Sequence, residues 1–416
     1  MNLYSVGSEI GDALKETLGG WGMWSAIIAT ISVIGLGFFL TLKNILNKDW
    51  DKVFIKVVMV VGLPSLALSG FLTNITVKDL IDQLAVLLIG FAFYALMMLI
   101  SKYFFLKYDK DLQDTFAMCI ALASTTFFGT PIVTAIYGDA KIPANIFNVP
   151  YRVFLYSLAF MIMSKKPMAA TNNGNVVAKI KKSEMTVEDL AQSKKVKKQA
   201  LKNIFVNPIL IATFVGLIIW VTQLIPGIDV LAVVETKTKS GVIGVDANNN
   251  VYEGSISYVD TVYYSPLRID KLFPPSATIL NALAAICTPL AWLAIGMTMA
   301  KGNIKEAMKD KKLWYAASIK VLVAPAIILI LICGVAGIGS LIVDEGTTII
   351  GKTAMSVMVI MTAAPPANVV VAYAISYEKG AKEASNLTSL STLLSVVTLP
   401  VWVVIVTAVG ALPIFG

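Results

Sequence analysis

Two apolar stretches, each part of a segment long enough to cross a bilayer and each interrupted midway, constrain this chain most. The first is STTFFGTPIVTAIYG at residues 124–138, interrupted by Gly129-Thr130-Pro131. The second is MTAAPPANVVVAYAISY at residues 361–377, interrupted by Ala364-Pro365-Pro366. A proline inside a helix removes one hydrogen bond and clashes with the preceding turn. Backbone groups freed at membrane depth persist only where protein or a water-filled cavity satisfies them. Interrupted spans at matching places in two halves of a chain point to the binding site of a transporter.

The remaining composition fits that setting. Of 416 residues, 57% are hydrophobic and 14% charged. Soluble proteins carry about 25% charged residues, so the sequence reads as a polytopic membrane protein. The net charge of +8 does not imply a nucleic-acid partner, because the lysines sit in short loops between apolar spans. Cys119, Cys287 and Cys333 fall inside those spans and carry no disulfide signal. The chain has no histidine, which removes His-based proton relays, the commonest zinc ligands and His-based acid–base catalysis. No cofactor or metal is called for. Residues 1–20 are polar and the first apolar run is long enough to be a true span, so no cleavable signal peptide is expected.

At about 20 apolar residues per span, ten spans are expected: 22–42, 53–72, 83–105, 115–137, 148–164, 204–225, 275–300, 313–338, 348–377 and 386–409. Residues 8–18 read either as a helix on the membrane surface or as a polar tail. Segments 43–52, 102–114, 165–203, 301–312 and 378–384 carry 3, 3, 10, 5 and 2 lysines and arginines, and the opposite side carries 8 when Lys352, at the start of the ninth span, is counted with it. The positive-inside rule then places both termini outside and the basic segment 165–203 in the cytoplasm. That segment links a first five-helix repeat, 1–164, to a second, 204–416. Five is odd, so the second repeat enters the membrane inverted. Pro64 and Pro289 mark corresponding helices, as do the two interruptions. Segment 226–274 has no counterpart in the first half and reads as an extracellular insertion. Within it, GVIGVDANNNVYEGSISYV alternates around Asn-rich turn residues, as a hairpin does.

Pro131 and Pro366 each suit the first position of a half-helix, where a missing N–H costs nothing, and Thr130 suits the cap before Pro131. Half-helix N-termini at the midplane offer unpaired N–H groups and partial positive charge, which favour a carboxylate. Arg152 is the only arginine in an expected span. It reads as a substrate contact, able to grip a carboxylate through two parallel bonds, or as a side chain snorkelling to the headgroups. Lys320 reads equally as compensation for the carbonyl ends of a broken helix or as a snorkelling residue, and Lys56 as snorkelling. No Asp or Glu falls centrally in any span, which favours an anionic substrate. Neutral polar groups complete the set: Ser124, Thr125, Thr126 and Thr134 on the fourth span, Asn368 after Pro366, and a stripe of Thr388, Ser391, Thr392 and Ser395 on the tenth. The stripe reads first as helix packing through small residues.

FFGTPIVTAIYG, VNPILIATFVGLII, TPLAWLAIGMTMA and TAAPPANVVVAYA, in this order, resemble the auxin efflux carrier family, whose bacterial members include malate permeases. The resemblance spans the ten helices but not 165–203 or 226–274. It implies an all-α fold of ten transmembrane helices in two inverted five-helix repeats, NhaA-like or bile-acid-symporter-like, with helices 4 and 9 broken and crossing. It also implies secondary transport of an organic anion by an elevator-like movement, with substrate beside the crossover. The expected substrate-binding set is Ser124, Thr126, Gly129, Thr130, Pro131, Arg152, Pro365, Pro366 and Asn368, with Lys320 compensating charge. The family commonly has Asn and Gly where this chain has Ser124 and Thr126, and Arg152 stands at an often neutral position. An added positive charge suits a dicarboxylate such as malate. The expected partners are that anion, a co-transported proton or counter-anion, the lipid bilayer of the cell membrane and a second copy in a homodimer. Export of a monocarboxylate (auxin-like or lactate) or an amino acid, an anion channel and a ligand-sensing membrane protein remain as alternatives. A membrane enzyme is disfavoured by the absence of His and of paired carboxylates in the spans.

Overall fold

The computed structural model describes residues 21–47, 49–164, 206–245, 251–301, 304–342 and 348–415, with isolated positions 11, 15 and 19 before them. Residues 8–18, a surface helix or a polar tail by sequence, fall almost wholly outside the described residues. The basic segment 165–203 and the Asn-rich turn at 246–250 lie outside them too. Helix α1 is Trp21–Leu42, α2 is Trp50–Phe71, α3 is Val77–Phe105 and α4 is Lys110–Ala121. Then come α5, Thr125–Ile136, α6, Gly138–Met163, and α7, Pro208–Thr222. Strands β1, Leu231–Val245, and β2, Val251–Tyr264, follow. The chain continues with α8, Ile269–Leu272, α9, Pro275–Lys301, α10, Ile304–Ala307, and α11, Lys311–Gly339. It closes with α12, Lys352–Thr362, α13, Asn368–Ser376, and α14, Ala381–Gly410. Among the described residues, six helices (α2, α3, α6, α9, α11 and α14) are long and apolar enough to cross a membrane. The molecule is a helical, multi-pass membrane protein.

Two expected spans begin too late. Helix α3 starts at Val77, not 83, because Thr76 and Asp79 form a capping box, and Asp82 then accepts the Gly351 N–H at 2.7 Å, at the start of α12. Helix α6 starts ten residues before the expected 148. Its first turns carry Asn145 and Asn148, both buried in protein, so a lipid-based hydropathy reading passes over them.

The helices pack as two groups. Helix α9 lies along α1 and α2, and α7 packs on α2. The α1–α9 contact is backbone to backbone: a Cβ at Gly296 would stand 2.0 Å from the Ile34 carbonyl oxygen, so any side chain there forces the helices apart. Asp51 of α2 pairs with Lys301 of α9 at 2.6 Å. Val58, Leu63, Ala67, Ile209, Cys287 and Ala291 form a small core inside this group. The second group holds α3, α6, α11, α12 and α14 around the short helices α4, α5 and α13, and its core extends into the first group through Ile34, Phe71, Trp220, Trp292 and Ile295.

Strands β1 and β2 pair antiparallel from Leu231 opposite Tyr264 to Val245 opposite Val251. The hairpin is therefore longer than the sequence pattern suggested. Its root is held by Arg268, which is 3% exposed. The guanidinium grips both oxygens of Asp270 and also donates to Asn74, Gln223 and the Leu72 carbonyl, at 2.7–3.1 Å. Lys271 pairs with Glu235 beside it. These bonds fix the hairpin to the ends of α2 and α7.

Candidate functional site

Helix α4 stops at Ala121 and α5 begins at Thr125; α12 stops at Thr362 and α13 begins at Asn368. The two short connections run antiparallel and bond to each other. The Ser124 N–H donates to the Pro365 carbonyl at 2.6 Å, and the Ala367 N–H donates to the Leu122 carbonyl at 2.9 Å. Ala123 and Pro366 stand opposite each other as a bridge pair. Buried backbone groups must be paired, and here each break supplies the partners of the other. The second break follows from local chemistry, since Pro365 and Pro366 lack N–H groups and a residue before proline avoids the helical region.

The first break is not where the prolines suggested. Gly129, Thr130 and Pro131 lie inside the continuous helix α5, so Pro131 does not start a half-helix and Thr130 does not cap one. Likewise Pro366 belongs to the bridge, while Asn368 is the first helical residue after an Ala367 cap. The reason is a wide π turn at Thr125–Gly129, in which the Thr130 N–H reaches back to the Thr125 carbonyl. The carbonyl that a proline at 131 would strike, that of Phe127, lies within this widened turn. The same device precedes Pro64 (π turn Val58–Gly62) and Pro325 (π turn Ile319–Val323). In each case the turn ends two residues before the proline, so the helix passes the ring without stopping.

A cavity opens beside the crossing. Ser124, Pro365, Pro366 and Asn368 line it from the breaks and Phe128 from α5; Thr388, Ser389 and Thr392 line it from α14; Ile295, Thr298 and Met299 face it from α9. It therefore lies between the two helix groups. Thr298, Thr388 and Thr392 donate to carbonyls of their own helices at 2.8–2.9 Å. The buried Ser124 hydroxyl has no hydrogen-bond partner among the described residues. The first N–H groups of α5 and α13 lack an intrahelical acceptor, as at every helix start. No carboxylate is among the lining residues. The arrangement can hold a small anion by hydrogen bonding without a full charge in contact.

Of the expected set, Ser124, Pro365, Pro366 and Asn368 meet at this cavity; Thr126, Gly129, Thr130, Pro131 and Arg152 are not in its lining. Thr126 and Thr130 are held by Asn148, a residue the sequence reading passed over. The Asn148 carbonyl oxygen accepts from the Thr125 and Thr126 hydroxyls at 2.7 and 3.1 Å, and its NH2 donates to Thr130 Oγ1 at 3.0 Å and to the Ala144 carbonyl at 2.8 Å. Gly129 lies against Met361 of α12. Arg152 is 2% exposed, near Tyr151, Tyr156 and Cys287, and donates to Thr213 Oγ1 at 3.4 Å. Lys320 is fully buried. Its ammonium donates at 3.2 Å to the carbonyls of Ile120 and Thr362, the ends of the helices leading into the two breaks. Phe128, Thr298, Met299 and Ser389 also reach the cavity without having been expected there.

No curated protein matches this chain. A family model described as Membrane transport protein matches residues 23–232 and 266–403. The stretch between, 233–265, is nearly all of the β1–β2 hairpin. With a match over most of its length, on a multi-pass helical framework, the chain belongs to the membrane transport protein family, that of the auxin efflux carriers.

Proposed function

We propose that this chain is a secondary active transporter of a small organic anion, malate or a related dicarboxylate, working by elevator-type alternating access. The observation that carries the reading is the cavity at the crossing. It faces two half-helix starts, has Ser124 and Asn368 in its lining, and contains no carboxylate. Two buried cations, Arg152 and Lys320, have no acidic partner among the described residues. The hydrogen-bonded crossing supports taking α4–α5 and α12–α13 as the fourth and ninth of ten spans in two inverted five-helix repeats. On this reading both chain ends lie outside and the basic segment 165–203 lies in the cytoplasm.

The division into two helix groups supports the elevator. Where α6 meets the first group, two of the bonds are long, Arg152 to Thr213 at 3.4 Å and Asn145 to the Ala67 carbonyl at 3.3 Å, beside a third from Tyr156 to Asn207. Weak bonds of this kind are given up easily when one group slides past the other. The cavity is narrow, about 10 Å³ in volume, room for about one water. Loading therefore requires α9 to separate from the crossing. That movement frees Arg152 from Thr213 to meet the second carboxylate of the substrate.

The test is uptake of labelled L-malate into proteoliposomes at two external pH values, with and without internal malate or lactate. Saturable uptake accelerated by internal anion is expected; absence of any saturable uptake by folded protein would refute the assignment. Arg152→Gln removes one charge-assisted contact and is expected to weaken dicarboxylate uptake about tenfold while affecting monocarboxylates less. Equal dicarboxylate uptake by this variant would remove Arg152 from the site. The hairpin lies outside the family match and away from the cavity. Cutting it back to a short turn between Val233 and Val262 is expected to leave malate uptake within about twofold of the intact chain, the scale of a change remote from any site. If uptake survives but a ligand-dependent response in cells is lost, the hairpin serves sensing instead.

A further inference from the structure

We propose that Phe128 sets the length of the anion that the crossing admits; the assignment rests on the organic-anion reading above. The π turn at the start of α5 sends two consecutive phenylalanines in different directions. Phe127 enters the small core of α2, α7 and α9. Phe128, 2% exposed, walls the polar cavity and also a second space beyond it. That second space is a cleft between α1, α5 and α14, lined by Ile34, Ile132, Leu399 and Val403 among others.

The two spaces follow one another along the same pair of helices. Ser124, just before α5, borders the first and Ile132 of α5 the second, with Phe128 between them in the chain and bordering both. On α14, Thr392 borders the first space and Ser395 the second. The first space is polar at the breaks and the second is almost wholly apolar. Phe128 is the ring between them.

An anion whose carboxylate sits at Ser124 and Asn368 and whose body extends along α5 meets this ring. Once α9 has withdrawn and the polar space has widened, a short acid is accommodated on the polar side of the ring, whereas a longer tail meets it. Without the ring, the two spaces join and a tail can enter the apolar cleft. Each methylene buried there strengthens binding by about fourfold.

The experiment uses the purified full-length protein in proteoliposomes. Succinates carrying alkyl groups from methyl to hexyl compete against labelled L-malate, with thermal stabilisation in detergent as a second readout. In the wild type, competition is expected to fall away beyond ethyl. In Phe128→Ala it is expected to rise by about fourfold per methylene. Phe128→Leu, which keeps most of the side-chain volume, should shift the preference in the same direction by less, and it serves if the alanine variant does not fold. Adding Ile132→Trp to Phe128→Ala fills the cleft and should restore the preference for short anions. An unchanged length preference in both Phe128 variants overturns the assignment, as does a gain that Ile132→Trp fails to reverse. If neither malate nor any alkylsuccinate binds the wild type or the variants, the organic-anion reading fails first and this assignment falls with it.

Discussion

Lys320→Met is expected to lower the stability of the protein by about 3 kcal/mol, the sum of two charge-assisted bonds to buried carbonyls at about 1.5 kcal/mol each. Methionine matches the length of the lysine side chain but offers no donor. The Ile120 and Thr362 carbonyls, each 3.2 Å from the ammonium, then lose the donor that reaches both. Both belong to helix C-terminal ends, where the macrodipole is negative. Two such ends converge on one buried point, so removing the cation also leaves like partial charges facing each other. Since the same two helices lead directly into the bridge between Ala123 and Pro366, uptake should fall by about tenfold or more, the factor that about 1.4 kcal/mol of lost order at the crossing is worth. Lys320→Arg keeps the charge and should recover part of both losses. Thermal unfolding of the purified protein alongside malate uptake reads the two effects. A methionine variant as stable as the wild type would mean that Lys320 does not hold the two ends together.

How far the sequence foretold this crossing depends on which break is considered. The second was legible, because Pro365-Pro366 removes two donors in succession and no helix continues through it. The first was misplaced by several residues. Pro131 looked like an interruption, yet a π turn carries the helix past it, and nothing in FFGTP distinguishes a π turn from a stop. The true break at Leu122–Ser124 contains no proline or glycine. It is fixed by the opposite connection, whose Pro365 carbonyl and Ala367 N–H bond to it, and a pairing between residues more than two hundred apart leaves no local mark. For Lys320, compensation of a broken helix's carbonyl ends was one of two readings the sequence allowed, and the bonds to Ile120 and Thr362 agree with it; which carbonyls it meets was not legible, because they come from distant helices. Asn148 was missed for a different reason. Asn145, Asn148 and Arg152 recur at helical spacing and so mark one polar face, but the apolar pattern starts the span at 148, which leaves Asn145 in an expected loop and makes Asn148 look like the polar end of a helix. The hydroxyl stripe on α14 was read as packing, yet Thr388 and Thr392 line the cavity while also bonding their own helix; spacing alone does not tell which neighbour a stripe faces.

Asn148 separates the integrity of the crossing from its affinity for an anion. Asn148→Ala removes three hydrogen bonds to the start of α5 and one to the Ala144 carbonyl of its own helix. Some of the freed hydroxyls can turn to backbone carbonyls, so the expected loss is about 2–3 kcal/mol rather than the full set, with a corresponding drop in unfolding temperature. Asn148→Asp behaves differently. One carboxylate oxygen still accepts from Thr125 and Thr126, and the Thr130 hydroxyl can rotate to donate to the other. Only the bond to the Ala144 carbonyl is lost outright. The new negative charge stands at the start of α5, where a helix N-terminus favours it, so this variant should unfold close to the wild-type temperature. The position it occupies electrostatically is the one assigned to the carboxylate of the substrate. Uptake by Asn148→Asp should therefore fall by about tenfold or more, as two like charges compete for one partially positive site, even though the fold is intact. Stability from thermal unfolding and uptake of labelled malate, measured on both variants, give opposite orders: alanine is the less stable and aspartate the less active. If the aspartate variant transports malate at the wild-type rate, the charge of the substrate is not held at the start of α5.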